Sequence, residues 1–205
     1  MKIGMLGTGM VGNTLGSALV ARGHQVRMGA RDAASPKAAE WAAGAGAGAS
    51  AGSFADAAAF GEVVVNATAG VASLDALAMA GADNLAGKVL IDVSNPLDFS
   101  KGMPPSLTIC NTDSLGESIQ RAFPATRVVK ALNTLNCYLM VDPAQVPGPH
   151  HVFICGDDAA ARAQVAAWLG EWFGWPAASV IDLGDMTGAR GTEMVLPLWV
   201  RLMGT

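Results

Sequence analysis

The chain has 205 residues, 51% hydrophobic and 15% charged, with a formal net charge of −4; that suits one core of ordinary size with a small appended lobe, not two full domains. The acidic balance supplies no basic field for nucleic acid, and no apolar run approaches the ~20 residues that span a bilayer. The start MKIGMLGTG lacks a signal peptide's longer apolar region, and Cys110, Cys137 and Cys155 read as buried thiols without metal-ligand spacing, so a cytoplasmic protein without nucleic-acid or membrane partners is expected.

Residues 2–6 form a short apolar run, followed by glycines and then by Val11, Leu15, Ala18, Leu19 and Ala21 at helical spacing. Gly23 closes this predicted helix, and Gln25–Met28 is a second strand ending at Gly29 and Ala30. A helix is predicted over 35–43, with Ser35 as cap before Pro36. The stretch 42–53 holds too much glycine for a stable helix and reads as a mobile connector with a brief strand. A short helix at FADAAAFG precedes the buried strand EVVVNAT. Further strands are predicted at 88–95, 126–133 and 151–156, with helices in the gaps. SLGESIQRAF, from Ser114, has capping-box spacing to Glu117, and Asp157–Gly174 opens with acids suited to a helix N-terminus. A last strand, ASVIDLG, precedes a final helix running from about Arg190 into LPLWVRLMG. The alternation predicts an α/β fold: a doubly wound, mostly parallel sheet of Rossmann type over 1–149, with a small C-terminal α/β lobe over 150–205.

The run G-T-G-M-V-G follows the first strand and opens the first helix. Gly7 permits the tight turn, Gly9 lets backbone amides approach a pyrophosphate, and Gly12 allows close helix–sheet packing. The amides of Gly9, Met10, Val11 and Gly12, with the Thr8 hydroxyl, are the expected donors. The end of the second strand, where a carboxylate would receive the ribose of NAD, reads Gly29-Ala30-Arg31. Arg31 can stack on adenine and pair with a 2′-phosphate, and Lys37 adds charge, so NADP(H) is favoured. The competing reading gives the ribose to Asp32, which equally suits a turn.

Open α/β sheets bind ligands beyond the carboxyl ends of their strands. Three such ends, carrying Ala67 and Thr68, Asn95 and Pro96, and Ala131 and Asn133, are small or amide-bearing and suit a nicotinamide ribose and ring, the asparagines offering donors and acceptors to its carboxamide. Taken singly, Asn95-Pro96 also reads as a turn and Asn133 as a strand-end cap. No nucleophile–histidine constellation is spaced convincingly; His24 falls in a turn, and His150 and His151 in a loop. Hydride transfer needs mainly positioning, so no catalytic side chain and no metal ligand is assigned.

The segments IGMLGTGMVG, MGAR with Lys37, VVKALNT, ICGDD before a long helix, and DLGDMTGARGTEMVLPLWVRL together resemble the NADPH-dependent coenzyme F420 reductase family, over nearly the whole chain. The resemblance implies hydride transfer between NADP(H) and a deazaflavin, with the rings stacked in a cleft between the main domain and the C-terminal lobe. It implies that Thr8 to Val11 hold the pyrophosphate, Arg31 and Lys37 the 2′-phosphate, and that Ala131 neighbours the nicotinamide. Ala30 stands where the family often has a hydroxyl residue, and Asn133 where a histidine can occur. A flavin or a ferric chelate as alternative small-molecule substrate, and an NADP(H)-binding redox sensor without turnover, are the competing functions. Imine and β-hydroxyacid reductases share the glycine loop but carry a large helical second domain, for which this sequence is too short. The final helix, with Met194, Leu196, Leu198, Trp199, Val200, Leu202 and Met203, is apolar around much of its circumference and must be buried, within the lobe or, with Trp168, Trp172 and Trp175, in a homodimer interface. Arg190 and Glu193 read as a structural pair on that helix.

Overall fold

The structure, a computed structural model, describes residues 1–203. Its first third runs β1 (Lys2–Leu6), α1 (Met10–Ala21), β2 (Gln25–Ala30), α2 (Pro36–Ala45), β3 (Ala49–Ser53), α3 (Phe54–Phe60) and β4 (Val63–Asn66). Then follow α4 (Ser73–Ala80), α5 (Ala82–Leu85), β5 (Val89–Asp92), a hairpin of β6 (Leu97–Asp98) and β7 (Ser106–Leu107), α6 (Leu115–Ala122) and β8 (Arg127–Ala131). The chain closes with α7 (Cys137–Val141), β9 (Val152–Cys155), α8 (Ala159–Phe173), β10 (Val180–Asp182), α9 (Gly188–Met194) and α10 (Leu196–Met203).

Eight strands form one sheet in the order β10-β9-β8-β5-β4-β1-β2-β3. All neighbours are parallel except β8 and β9, where the chain turns back on itself. The mostly parallel, Rossmann-type α/β fold is therefore present, and residues 150–203 add β9 and β10 to the same sheet. Strands covered on both sides must be apolar at successive positions. Ile3, Met5, Val63, Val65, Val89, Ile91 and Val129 point to one face, under α1, α2, α7 and α8. Leu6, Val64, Leu90 and Val128 point to the other, under α3, α4, α6 and α9.

Several local expectations are corrected by tertiary packing. The glycine-rich stretch after Trp41 is no mobile connector: α2 extends to Ala45, and β3 pairs with β2 along the sheet edge. Ser53 and Asp56 form a reciprocal capping box that starts α3 directly after it. The gap after β5 holds the β6–β7 hairpin as well as a helix. Trp172 and Trp175 are buried in the chain's own core, half-buried Trp168 stacks on Trp172 at 4.9 Å, and Trp175 Nε1 donates to the Met140 carbonyl. The final helix is two helices broken at Val195, and Leu198 and Leu202 stand exposed rather than buried. Cys137 and Cys155 are buried as expected, but Cys110 is exposed. Positions 204–205, and the Met203 side chain counted into the apolar face, lie outside the described residues. Among the described residues no helix is long and apolar enough to cross a membrane.

Candidate active site

The three glycines of the first turn meet three different constraints. Gly7 has φ 114°, and a Cβ there would lie 2.6 Å from the Ala67 carbonyl oxygen. A Cβ on Gly12 would overlap the Gly7 carbonyl oxygen, so α1 approaches β1 only because position 12 has no side chain. At Gly9 a Cβ would meet nothing within 4 Å: its missing side chain keeps open space above the N-terminus of α1. Gly9 is the N-cap and offers no side-chain cap, so the first amides of α1 lack the partner that capping supplies to most helices. That backbone arrangement, at the positive end of a helix dipole, fits a pyrophosphate.

A cleft of about 470 Å³ extends from this turn, lined by Gly7, Thr8, Gly9, Ala30, Arg31, Asp32 and Ser35 on one side and by Ala67, Thr68, Ala69, Asp75 and Met79 on the other. Arg31 is exposed at its rim and has no carboxylate partner among the described residues. Asp32 accepts a hydrogen bond from the Ala34 amide at 2.9 Å, the turn role weighed for it. Lys37 is exposed on the first turn of α2 but does not line the cleft. Ser35 caps α2 by position only: its hydroxyl makes no cap bond, and the residue lines the cleft, where the sequence reading gave it only a helix-cap role.

Ala67, Thr68 and Ala69 also wall a second hollow of about 380 Å³, with Val11, Ser94, Asn95 and Phe99. The two hollows form one trough over the carboxyl ends of β1, β2, β4 and β5. Met10 is exposed beside it. Pro96 is buried, its carbonyl accepting from the Thr108 amide and anchoring the hairpin. Ala131 has no exposed surface, so what reaches the site from β8 is the segment after it. There Leu132 adopts φ 65°, a strained conformation for a buried leucine, and turns Asn133 across the strand ends.

The asparagines expected to meet a carboxamide are largely engaged with the protein itself. Asn133 Nδ2 donates to Asn95 Oδ1 at 2.9 Å and to the Thr192 carbonyl at 3.1 Å, and Asn95 Nδ2 donates to the Asn133 carbonyl. Asn66 is fully buried: its Nδ2 donates to Asp92 Oδ1 and Ser73 Oγ, and its Oδ1 accepts from the Thr68 hydroxyl at 2.7 Å. These amides are struts holding the trough wall.

Beyond the Asn95–Asn133–Thr192 bridge lies a pocket of about 450 Å³ lined by Thr134, Leu135, His151, Phe153, Leu183, Thr192, Val195 and Trp199. It is mostly apolar, sits between β9 and the α9–α10 turn, and draws on residues scattered too widely for any motif. His151, read as a loop residue, lines it; His150 packs edge-on against Trp175 instead.

Under this pocket is a set of charges that the sequence reading missed. Lys130 Nζ lies 2.5 Å from Asp92 Oδ2 and 2.8 Å from Glu193 Oε1, all three side chains essentially without exposed surface. Burial by itself would lower the Lys130 pKa; the two carboxylates outweigh it and hold the ammonium above its ordinary range. The nearby Cys155 thiol is pushed up to about 12, by burial first, and is inert as a nucleophile at neutral pH. Arg190 and Glu193 are not partners: Arg190 forks onto Glu117 of α6, while Glu193 turns inward. The detectable signal was an aspartate closing the otherwise apolar strand VLID and, behind the exposed Arg127, a lysine set within the buried part of RVVKA; Asp92 and Lys130 are register neighbours.

Residues 2–96 match the family described as NADP oxidoreductase, coenzyme F420-dependent. A proposed F420-dependent NADP reductase from Arthrobacter sp. FB24 is 53% identical, and its structure superposes with a TM-score of 0.92 over 100% of this chain and 94% of that one. The chain belongs to the coenzyme F420-dependent NADP oxidoreductase family. It is accordingly an NADP-dependent oxidoreductase, and the glycine turn, the uncapped α1 N-terminus and the rim arginine fit that cofactor. When bound, NADP(H) supplies the transferable hydride; the chain's residues supply its seat. Rat (Rattus norvegicus) metalloreductase STEAP3 is 30% identical over 203 residues, 97% of this chain, and the chain spans 38% of that protein's length. A hypothetical protein from Sinorhizobium meliloti is 23% identical, with a TM-score of 0.69 over 91% of this chain and 86% of its own; it shares the fold.

Proposed function

We propose that this family member passes hydride between NADP(H), seated in the trough, and coenzyme F420 or a flavin-like ring received by the apolar pocket beyond the Asn95–Asn133–Thr192 bridge. The observation that carries this reading is the adjacency of the two: a trough of backbone amides and small side chains meets, across one hydrogen-bonded bridge, an apolar hollow with room for an aromatic ring system. Thr68 and Val11 would flank the nicotinamide end, Arg31, Ser35 and Lys37 the 2′-phosphate end, and Phe153, Val195 and Trp199 the acceptor. Acid–base groups are not required of the pocket, since hydride transfer between stacked rings depends on distance and alignment.

Stopped-flow absorbance of NADPH oxidation against coenzyme F420, riboflavin 5′-phosphate and a ferric chelate tests this. Rapid oxidation with the deazaflavin supports it. The similarity to the metalloreductase favours the ferric chelate as second acceptor, and oxidation by that alone would replace the first reading. Tight NADPH binding with no oxidation by any acceptor would identify a sensor without turnover. The exposed Leu198 and Leu202 of α10 support the further proposal of a homodimer through that face, which light scattering of the purified protein decides.

A further inference from the structure

We propose that Lys130 is a positioning residue: through Asp92 and Glu193 it locks α9 to the strand ends and sets how the acceptor pocket stands relative to the nicotinamide end of the trough. The proposal rests on the reading that the pocket takes the hydride acceptor.

The triad joins β5, β8, α6 and α9. Glu193 lies on Lys130 and also accepts from the Leu115 and Gly116 amides at the α6 N-terminus, at 2.8 and 3.0 Å. Lys130 donates once more, to the Ser94 carbonyl at 2.8 Å. One ammonium therefore faces two carboxylates, and the first amides of α6 balance the remaining negative charge. Replacing such a buried set with apolar side chains of similar volume is often neutral or stabilising, so stability alone does not explain it; a fixed geometry does.

Both ends of the set reach a ligand surface. From Asp92 the bonds run through Asn66 to Thr68, which walls both halves of the trough. From Glu193 the next residue is Thr192, which lines the acceptor pocket and whose carbonyl receives Asn133. Packing leaves no slack: a Cβ on Gly116 would lie 3.3 Å from Lys130 Cε and 3.1 Å from the Ala189 Cβ. The second tie between α6 and α9, Glu117 to Arg190, stands nearer the surface. A shift of α9 would carry Thr192 and Val195 with it while leaving the glycine turn untouched.

The test uses Lys130→Met and Glu193→Gln in the full chain, the latter keeping an oxygen for the α6 amides and nearly the same volume. NADPH Kd is read by cofactor fluorescence, KM and kcat with coenzyme F420 and with riboflavin 5′-phosphate, and hydrogen–deuterium exchange over residues 4–20 and 186–203. The expected result is an acceptor KM raised by about tenfold or more, with kcat reduced, for Lys130→Met and a smaller rise for Glu193→Gln. NADPH Kd should change by less than about twofold in Glu193→Gln and by clearly less than the acceptor KM in Lys130→Met, where Asp92 can disturb the trough only through Asn66 and Thr68. Exchange should quicken over 186–203 and not over 4–20. An unchanged acceptor KM in a folded variant, or an NADPH Kd weakened as much as the acceptor KM, overturns the proposal. If Lys130→Met fails to fold, Glu193→Gln decides. If the wild type oxidises NADPH with no acceptor, the functional reading fails, and exchange over 186–203 still decides the positioning role: unchanged exchange overturns it.

Discussion

The two halves of the site are built from different materials. The trough is made of backbone: a glycine turn, the N-terminus of a twelve-residue helix and a row of small side chains, with one arginine at its rim. The acceptor pocket is made of side chains from distant segments, held over a buried ion triad and an inter-helix ion pair. A backbone-made site tolerates many side chains around it but no Cβ at its contact points. A side-chain-made site depends on how its supporting helices are anchored, so damage to it arrives from residues that touch no ligand.

Substitutions in the glycine turn should break this contrast most sharply. Gly12→Val places a side chain where Cβ already overlaps the Gly7 carbonyl, and it is expected to abolish measurable NADPH binding and to lower stability by about 1–3 kcal/mol, read by urea denaturation. Gly9→Ala, whose Cβ meets nothing in the protein, should weaken NADPH binding while leaving stability within about 0.5 kcal/mol. Equal stability losses in the two variants would show that the turn matters to the fold alone.

Next in size is Arg31→Ala, expected to weaken NADPH binding by about 1–3 kcal/mol and NADH binding less, since the charge-assisted contact to the 2′-phosphate is lost with NADPH alone. Equal losses for both nucleotides, measured by calorimetric titration, would move the specificity to Asp32.

Smaller effects are expected on the pocket side. Ser114→Ala removes a buried N-cap that accepts from the Glu117 amide, and should cost about 1 kcal/mol, shifting the denaturation midpoint without changing NADPH affinity. Smallest is the acid response of the Glu117–Arg190 tie. The Arg190 fork holds the Glu117 carboxyl below its usual range, more than burial raises it, with the Ser114 hydroxyl assisting. A lowered folded-state pKa means stability that is present above the ordinary glutamate value and lost as pH falls through the folded one. Glu117→Gln should therefore flatten the stability profile in that acid window by about 1 kcal/mol or less, because the pair is partly exposed. An unchanged profile would place the acid sensitivity of the α6–α9 contact elsewhere.

Much of the trough was legible because its logic is local. GTGMVG sits between a strand and a helix, and each glycine's constraint involves its own turn or the adjoining strand end. The side chains of Asn95 and Asn133 were placed at the right end of the sheet but given a ligand to hold. Whether an amide faces a ligand or another amide depends on residues 38 and 59 positions away in the case of Asn133. Arg190 and Glu193 were paired for the same reason: three-residue spacing is visible in a sequence, whereas Glu117, 73 positions from Arg190, is not.

The order of strands and helices, the nucleotide turn and the charge at the end of β2 were determined by the sequence alone, since hydrophobic period, glycine sterics and local charge act over a few residues. The ion triad, the burial of Trp172 and Trp175, the break at Val195 and the apolar pocket were decided only by the tertiary structure. They exist because parallel register sets Asp92 beside Lys130 and because an antiparallel turn-back at β9 brings α9 over them. No local pattern encodes which distant charges will meet, and a buried charge is stable only where its partners have already been brought to it.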